Sequence, residues 1–243
     1  MKNILLVDDS ALMRRVLCDI INGDERFHVQ DRAVNGLEAL DLLCRKTYDA
    51  VVLDVNMPQM NGLELLKELQ KRKISAKVLM ASTDTREGAK TTLDALELGA
   101  LDFVHKPNNA MDCRNGEFKD RLIKMLAVVA ESRTPAVSKT FSVDEIKSTK
   151  KMVSLVSRHT ASVSGNKIVA LASSTGGPKA LQAVIPRLPK NLKAPVVVVQ
   201  HMPAGFTASL AERLDSLSEV TVKEAAEGDV LEPGTVYIAK GGK

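Results

Sequence analysis

The first 130 residues alternate short apolar segments with amphipathic ones. This alternation constrains the fold more than any single motif. Candidate strands are Asn3–Val7, His28–Ala33, Ala50–Leu53, Lys77–Ala81 and Leu101–Val104, most of them rich in Val, Ile or Leu. Helical patterns fill the gaps at Ala11–Asn22, Gly36–Arg45, Leu63–Lys71, Glu87–Leu98 and Phe118–Ala130. In the last of these, Leu122, Met125, Leu126 and Val129 fall on one stripe at spacings of three and four. Consecutive βα units with short connections predict a doubly wound parallel sheet of the flavodoxin-like kind. Ligands of such sheets gather at the carboxyl ends of the strands.

Those ends carry charge. Strand one runs into Asp8-Asp9, strand three into Asp54 and strand four into Ser82, while Lys106-Pro107 follows strand five. Clustered carboxylates repel one another unless a cation sits among them. A hard divalent ion such as Mg²⁺ suits oxygen donors, and a lysine adds a second positive charge. The set is suited to holding a phosphoryl group on a carboxylate, where catalysis is mostly positioning and charge neutralisation. Asp8-Asp9-Ser10 also reads as a plain strand end and helix cap.

Residues 131–166 read as a linker. From 131 to 167 there are seven Lys or Arg against three Asp or Glu, an excess equal to the chain's net charge of +4. The stretch is rich in Ser and Thr and lacks apolar periodicity, apart from one helical turn expected around Asp144–Ile146. Its basic character reads as solvation. With 3% aromatic residues and no Trp, base-stacking nucleic-acid binding is not expected. The first apolar run, Ile4–Val7, stops at Asp8, too short for a leader or a membrane span, so a cytoplasmic chain is expected. Three separated cysteines make neither a disulfide framework nor a zinc site.

A second, incomplete α/β pattern occupies 167–243. The strand Ile168–Leu171 leads into Ala172-Ser173-Ser174-Thr175-Gly176-Gly177, and Pro178 opens a helix. The apolar strand Pro195–Val199 leads into Gln200-His201-Met202-Pro203, with a helix from about Ala204 to Leu217 and strands at Val220–Lys223 and Val236–Ala239. A strand–Ser–helix turn approximates a nucleophile elbow, with Ala in place of its first Gly. The helix N-terminus beyond it suits an anion, so the turn reads equally as a phosphate cradle. His201 at the next strand end is a candidate base. Local chemistry does not choose between Ser173 and Ser174.

Two resemblances emerge. Leu6-Val7-Asp8-Asp9-Ser10, Leu53-Asp54-Val55-Asn56-Met57-Pro58, Asn61-Gly62, Ser82 and Lys106-Pro107 resemble a response-regulator receiver domain, expected over 1–130. That resemblance implies Asp54 as phosphoacceptor and Mg²⁺ on Asp8, Asp9, Asp54 and the Asn56 carbonyl. It implies Ser82 and Lys106 as phosphoryl partners and Phe103 as the switch aromatic, with a histidine kinase of the chemotaxis type as donor. Ser173-Ser174-Thr175-Gly176-Gly177-Pro178, Gln200-His201-Met202-Pro203-Ala204-Gly205-Phe206-Thr207 and Ala211-Glu212-Arg213-Leu214 resemble the effector domain of the CheB protein-glutamate methylesterases. This implies a phosphorylation-activated esterase and glutaminase acting on chemoreceptors, with no cofactor in its esterase site. Ser174 would be its nucleophile and His201 its base, with Thr175, Gly176 and Gly177 lining the oxyanion pocket. The family's third triad member, an aspartate in a Gly-rich segment, has no counterpart, and Glu224, Glu227, Asp229 and Glu232 do not match it. A C-terminally truncated, impaired esterase is therefore expected. The alternative is a non-catalytic receiver module, a phosphate sink or docking protein, with a remnant esterase segment.

Overall fold

The computed structural model describes residues 1–83, 86–107, 109, 112–114, 116–132 and 167–242. Most of the expected linker, with its helical turn at 144–146, lies outside the described residues. Five parallel strands form the first sheet: β1 (Lys2–Val7), β2 (Phe27–Ala33), β3 (Ala50–Asp54), β4 (Val78–Thr83) and β5 (Asp102–Lys106). Their order is β2-β1-β3-β4-β5. Helices α1 (Ala11–Asn22), α2 (Gly36–Arg45), α3 (Gly62–Lys71), α4 (Arg86–Glu97) and α5 (Gly116–Glu131) connect and flank them.

Sequence dictates these boundaries locally. Ser10, Asn35 and Asn61 are N-caps whose side chains accept backbone N–H groups, and Asn61 forms a reciprocal capping box with Glu64. Continuous apolar strands such as Ala-Val-Val-Leu in β3 suit a sheet covered on both faces, and all of β3 is buried. One apolar cluster packs β1 and β3 against α2, α3 and α4, and a second packs them against α1 and α5.

The second sheet has the order β6-β7-β9-β8, with every pairing parallel. It comprises β6 (Val169–Ser173), β7 (Val196–Gln200), β8 (Thr221–Glu224) and β9 (Thr235–Ile238), with helices α6 (Gly177–Val184) and α7 (Phe206–Leu217). Edge strand β6 is thinly covered: Val169 is exposed, as is Val199 on β7. Among the described residues, no helix is long and apolar enough to cross a membrane.

The two sheets are not independent bodies. Leu93 and Leu96 of α4 and Phe103 of β5 share a continuous buried cluster with Leu181 of α6 and with Phe206, Leu210 and Leu214 of α7. Phe103 and Phe206 stack nearly parallel, 8° apart with centroids at 5.0 Å. Arg213 on α7 donates to Glu97 on α4, Nε to Oε1 at 2.9 Å, and lies 3.7 Å from Asp94.

Candidate active site and its receiver-side control site

Parallel pairing brings the carboxyl ends of β1, β3 and β5 to one edge. The carboxylates of Asp8, Asp9 and Asp54 offer oxygens that all lie within 4.8 Å of one another. Lys106, at the end of β5, reaches into this cluster. Its ammonium is 2.8 Å from Asp8 Oδ2 and 2.7 Å from Asp54 Oδ1. Asp8, Asp54 and Lys106 are buried, whereas Asp9 is exposed. Burial pushes the Asp54 carboxyl up and Asp8 adds to that, against the pull of Lys106. Burial alone would favour a neutral Lys106, but the two carboxylates outweigh it and hold the amine above its ordinary range. Three hard oxygen donors of this spacing fit a Mg²⁺ ion.

Local sequence secures Asp54. Val55 N–H donates to Asp54 Oδ1 at 2.8 Å, and Gly62 N–H donates to the Val55 carbonyl at 2.9 Å. Gly62 must lack a side chain, because a Cβ there would overlap the Asp54 carbonyl. Ser10 is a helix cap, so the strand-end and acid-cluster readings of Asp8-Asp9-Ser10 are both true. Asn56 is exposed beside the cluster. Ser82 lies on β4 opposite His105, and its side chain is outside the described set.

On the second sheet, Ser173 pairs with Gln200 across β6 and β7. Ser174 and His201 therefore emerge side by side at the two strand ends, and His201 N–H donates to the Ser173 carbonyl at 3.1 Å. Ser174 is exposed, and no hydrogen bond joins its hydroxyl to the imidazole. No carboxylate among the described residues hydrogen-bonds the His201 ring. Glu224 accepts from the Thr207 hydroxyl, and Asp229 pairs with Lys223 at 2.7 Å.

Gly177 requires a correction to the expected oxyanion set. Its N–H donates to the Ser174 carbonyl at 2.8 Å and is not free for an anion. Its service is close approach, since a Cβ would overlap Gln200 Oε1. Thr175 lines the cavity, and Gly176 enters α6 with φ of 71°.

A cavity of about 860 Å³ lies between the sheets, walled by Ser174, Thr175, His201 and Met202 on one side and by Asp102 and Phe103 on the other. Asp102 was not singled out from sequence, although an acid inside Leu-Asp-Phe-Val is a visible anomaly. It is 5% exposed. Oδ1 accepts from Phe103 N–H at 2.8 Å, while buried Oδ2 has no hydrogen-bond partner. Burial pushes this carboxyl up to about 6, with the Phe103 N–H, the Thr175 hydroxyl, the Gly176 N–H and His201 offsetting part of the effect.

The five-stranded order and the acid–lysine cluster define a receiver domain, so the chain is a response regulator with an α/β effector packed against it. The response regulator receiver domain model matches residues 4–115, and the CheB methylesterase model matches 169–243. A protein-glutamate methylesterase/protein-glutamine glutaminase of Pyrococcus abyssi is 44% identical over 239 residues, covering 98% of this chain and 63% of its own length. The Bacillus licheniformis protein of that name is 42% identical over 243 residues, covering 100% and 68%. The response regulator domain of Thermotoga maritima CheB superposes with a TM-score of 0.50 at 34% identity, covering 55% of this chain and 98% of that one. The chain belongs to the CheB methylesterase family, and it spans about two thirds of the length of these curated relatives.

Proposed function

We propose that the chain is a phosphorylation-controlled hydrolase of protein glutamate methyl esters and glutamine amides, acting in the cytoplasm on chemoreceptor helices. A chemotaxis-type histidine kinase would supply the phosphoryl group. An Asp54 oxygen attacks phosphorus, the donor's bond to phosphorus breaks, and the leaving group keeps the electron pair. Lys106 then shifts from pairing two carboxylates to pairing the new phosphoryl oxygens. Asp8, Asp9, Asp54 and the Asn56 carbonyl would hold Mg²⁺, which when bound neutralises phosphoryl charge. Ser82 would engage the group from β4.

The observation that carries this reading is the Phe103–Phe206 stack. Phe103 precedes Lys106 by three residues on one strand, so a change at the acid cluster has a short rigid path to the effector. Burial of Phe103 against Phe206 and the Arg213–Glu97 pair favour a closed state, with Asp102 over the Ser174 cavity. Phosphorylation has to favour the open state by a free-energy difference of its own.

In the open state Ser174 Oγ attacks the ester carbonyl. His201 takes its proton and delivers it to departing methanol, or to ammonia from glutamine. Water then cleaves the acyl-serine by the reverse proton route. Backbone N–H groups at the turn before α6 would face the oxyanion. The exposed Ser174 hydroxyl is not hydrogen-bonded to the His201 imidazole, which leaves a second reading, a non-catalytic receiver module. Intact-mass detection of a fluorophosphonate adduct separates them. One adduct, lost in Ser174→Ala, supports the hydrolase, and no adduct favours the module.

A further inference from the structure

Gln200 is the last residue of β7 and is 5% exposed. Three hydrogen bonds engage its carboxamide, including both N–H donors. Oε1 accepts from the Ser173 hydroxyl at 2.6 Å. Nε2 donates to the Ser174 carbonyl at 3.0 Å and to the His201 carbonyl at 3.2 Å. The amide can face only this way, because two carbonyls cannot donate and must meet the NH₂. One planar group thus ties together the backbones that carry the nucleophile and the base. The Gln200 side chain acts at the end of the ladder, where the register closes with Ser173 opposite Gln200 and the backbone adds the His201 N–H to Ser173 carbonyl bond.

The surrounding residues fit that role. Gly177, whose missing side chain makes room for Oε1, also donates its N–H to the Ser174 carbonyl at 2.8 Å. The Ser174 carbonyl therefore takes two donors, one from each side of the turn. The Ser173 hydroxyl is committed to Gln200, while the exposed Ser174 hydroxyl has no such tie among the described residues. That division of labour distinguishes two adjacent serines that sequence alone left equivalent.

We propose that Gln200 is a positioning residue that sets the separation and orientation of Ser174 and His201, with the Ser173 hydroxyl fixing the carboxamide. The inference rests on the hydrolase reading. No other side chain offers an acceptor and two donors on one plane at this length. Leu would remove the partner of the Ser173 hydroxyl and one donor from each of the Ser174 and His201 carbonyls, leaving the Ser174 carbonyl with the Gly177 N–H. A misplacement of about 1 Å at reacting groups costs roughly 10² in rate.

The test uses the full chain and saturation kinetics with a fluorophosphonate, read by intact mass. Gln200→Leu should lower the maximal labelling rate about 10²-fold with the half-saturating probe concentration unchanged. Ser173→Ala should lower it about tenfold, and Ser173→Thr should recover most of that loss. Urea midpoints on the same samples separate this effect from unfolding. A folded Gln200→Leu variant that labels at the wild-type maximal rate overturns the proposal. If that variant does not fold, equal rates for Ser173→Ala and wild type overturn it instead. A wild-type chain that takes no label refutes the hydrolase reading. Hydrogen exchange at the His201 amide then decides the role of Gln200: accelerated exchange in Gln200→Leu sustains the clamp, and unchanged exchange removes it.

Discussion

Replacing Asp102 with Asn should stabilise the protein, and by an amount that depends on pH. In the folded chain this carboxyl titrates near 6, against 3.8 for an unperturbed aspartate. Its Oδ2 is buried with no hydrogen-bond partner, so desolvation is the dominant cause. A shift of about two units corresponds to about 3 kcal/mol at 1.36 kcal/mol per unit. Between pH 4 and 6 the native state keeps this proton while the unfolded chain has lost it. Stability therefore falls as pH rises through that window, and the full penalty stands above pH 6. Asn imitates the neutral acid. Near pH 4 the two proteins should unfold at similar urea concentrations, and at pH 8 Asp102→Asn should be more stable by up to about 3 kcal/mol. Taking the difference between the two curves cancels the titrating groups that do not interact with Asp102. A difference that stays flat from pH 4 to 8 would refute the reasoning, because the penalty would then not come from ionising Asp102.

Three further outcomes are expected. Acetyl phosphate with Mg²⁺ should add about 80 Da to the wild type and nothing to Asp54→Asn, as read by intact mass. The Phe103→Leu and Phe206→Leu double-mutant cycle should show a coupling of about 0.5–1.5 kcal/mol in urea unfolding, and additive effects would dissolve the stack's role. Gly177→Ala should cost about 1–3 kcal/mol in urea unfolding through overlap with the locked Gln200 side chain, and an unaffected midpoint would show that the side chain moves aside freely.

Much of this was legible in the sequence because strand ends in a parallel sheet share one edge. Asp8, Asp54 and Lys106 could be placed together from the βα alternation alone, and the ion pairs of Lys106 follow from that placement. The Ser173-Ser174 turn and His201 were legible for the same reason, through the β6–β7 pairing, while the choice of Ser174 came from the family resemblance. Asp102 was not, because what an acid in an apolar strand faces depends on how two domains pack, and no local pattern encodes that. Gln200 was hidden differently. A polar residue after Val-Val-Val-Val marks a strand end, but two of its three partners, Ser173 and Ser174, lie on a strand and a turn more than twenty residues away. Gly177 misled because Gly at a helix start suits an anion site, and competition from the Ser174 carbonyl shows only in three dimensions.

On the proposed function, a phosphoryl group on Asp54 would expose the Ser174 cavity by loosening the Phe103–Phe206 contact. The most direct measurement is the rate of fluorophosphonate labelling at Ser174, with and without acetyl phosphate and Mg²⁺, in wild type and Asp54→Asn. Labelling should accelerate severalfold in phosphorylated wild type and stay constant in Asp54→Asn. Equal rates before and after a verified 80 Da gain would contradict the claim.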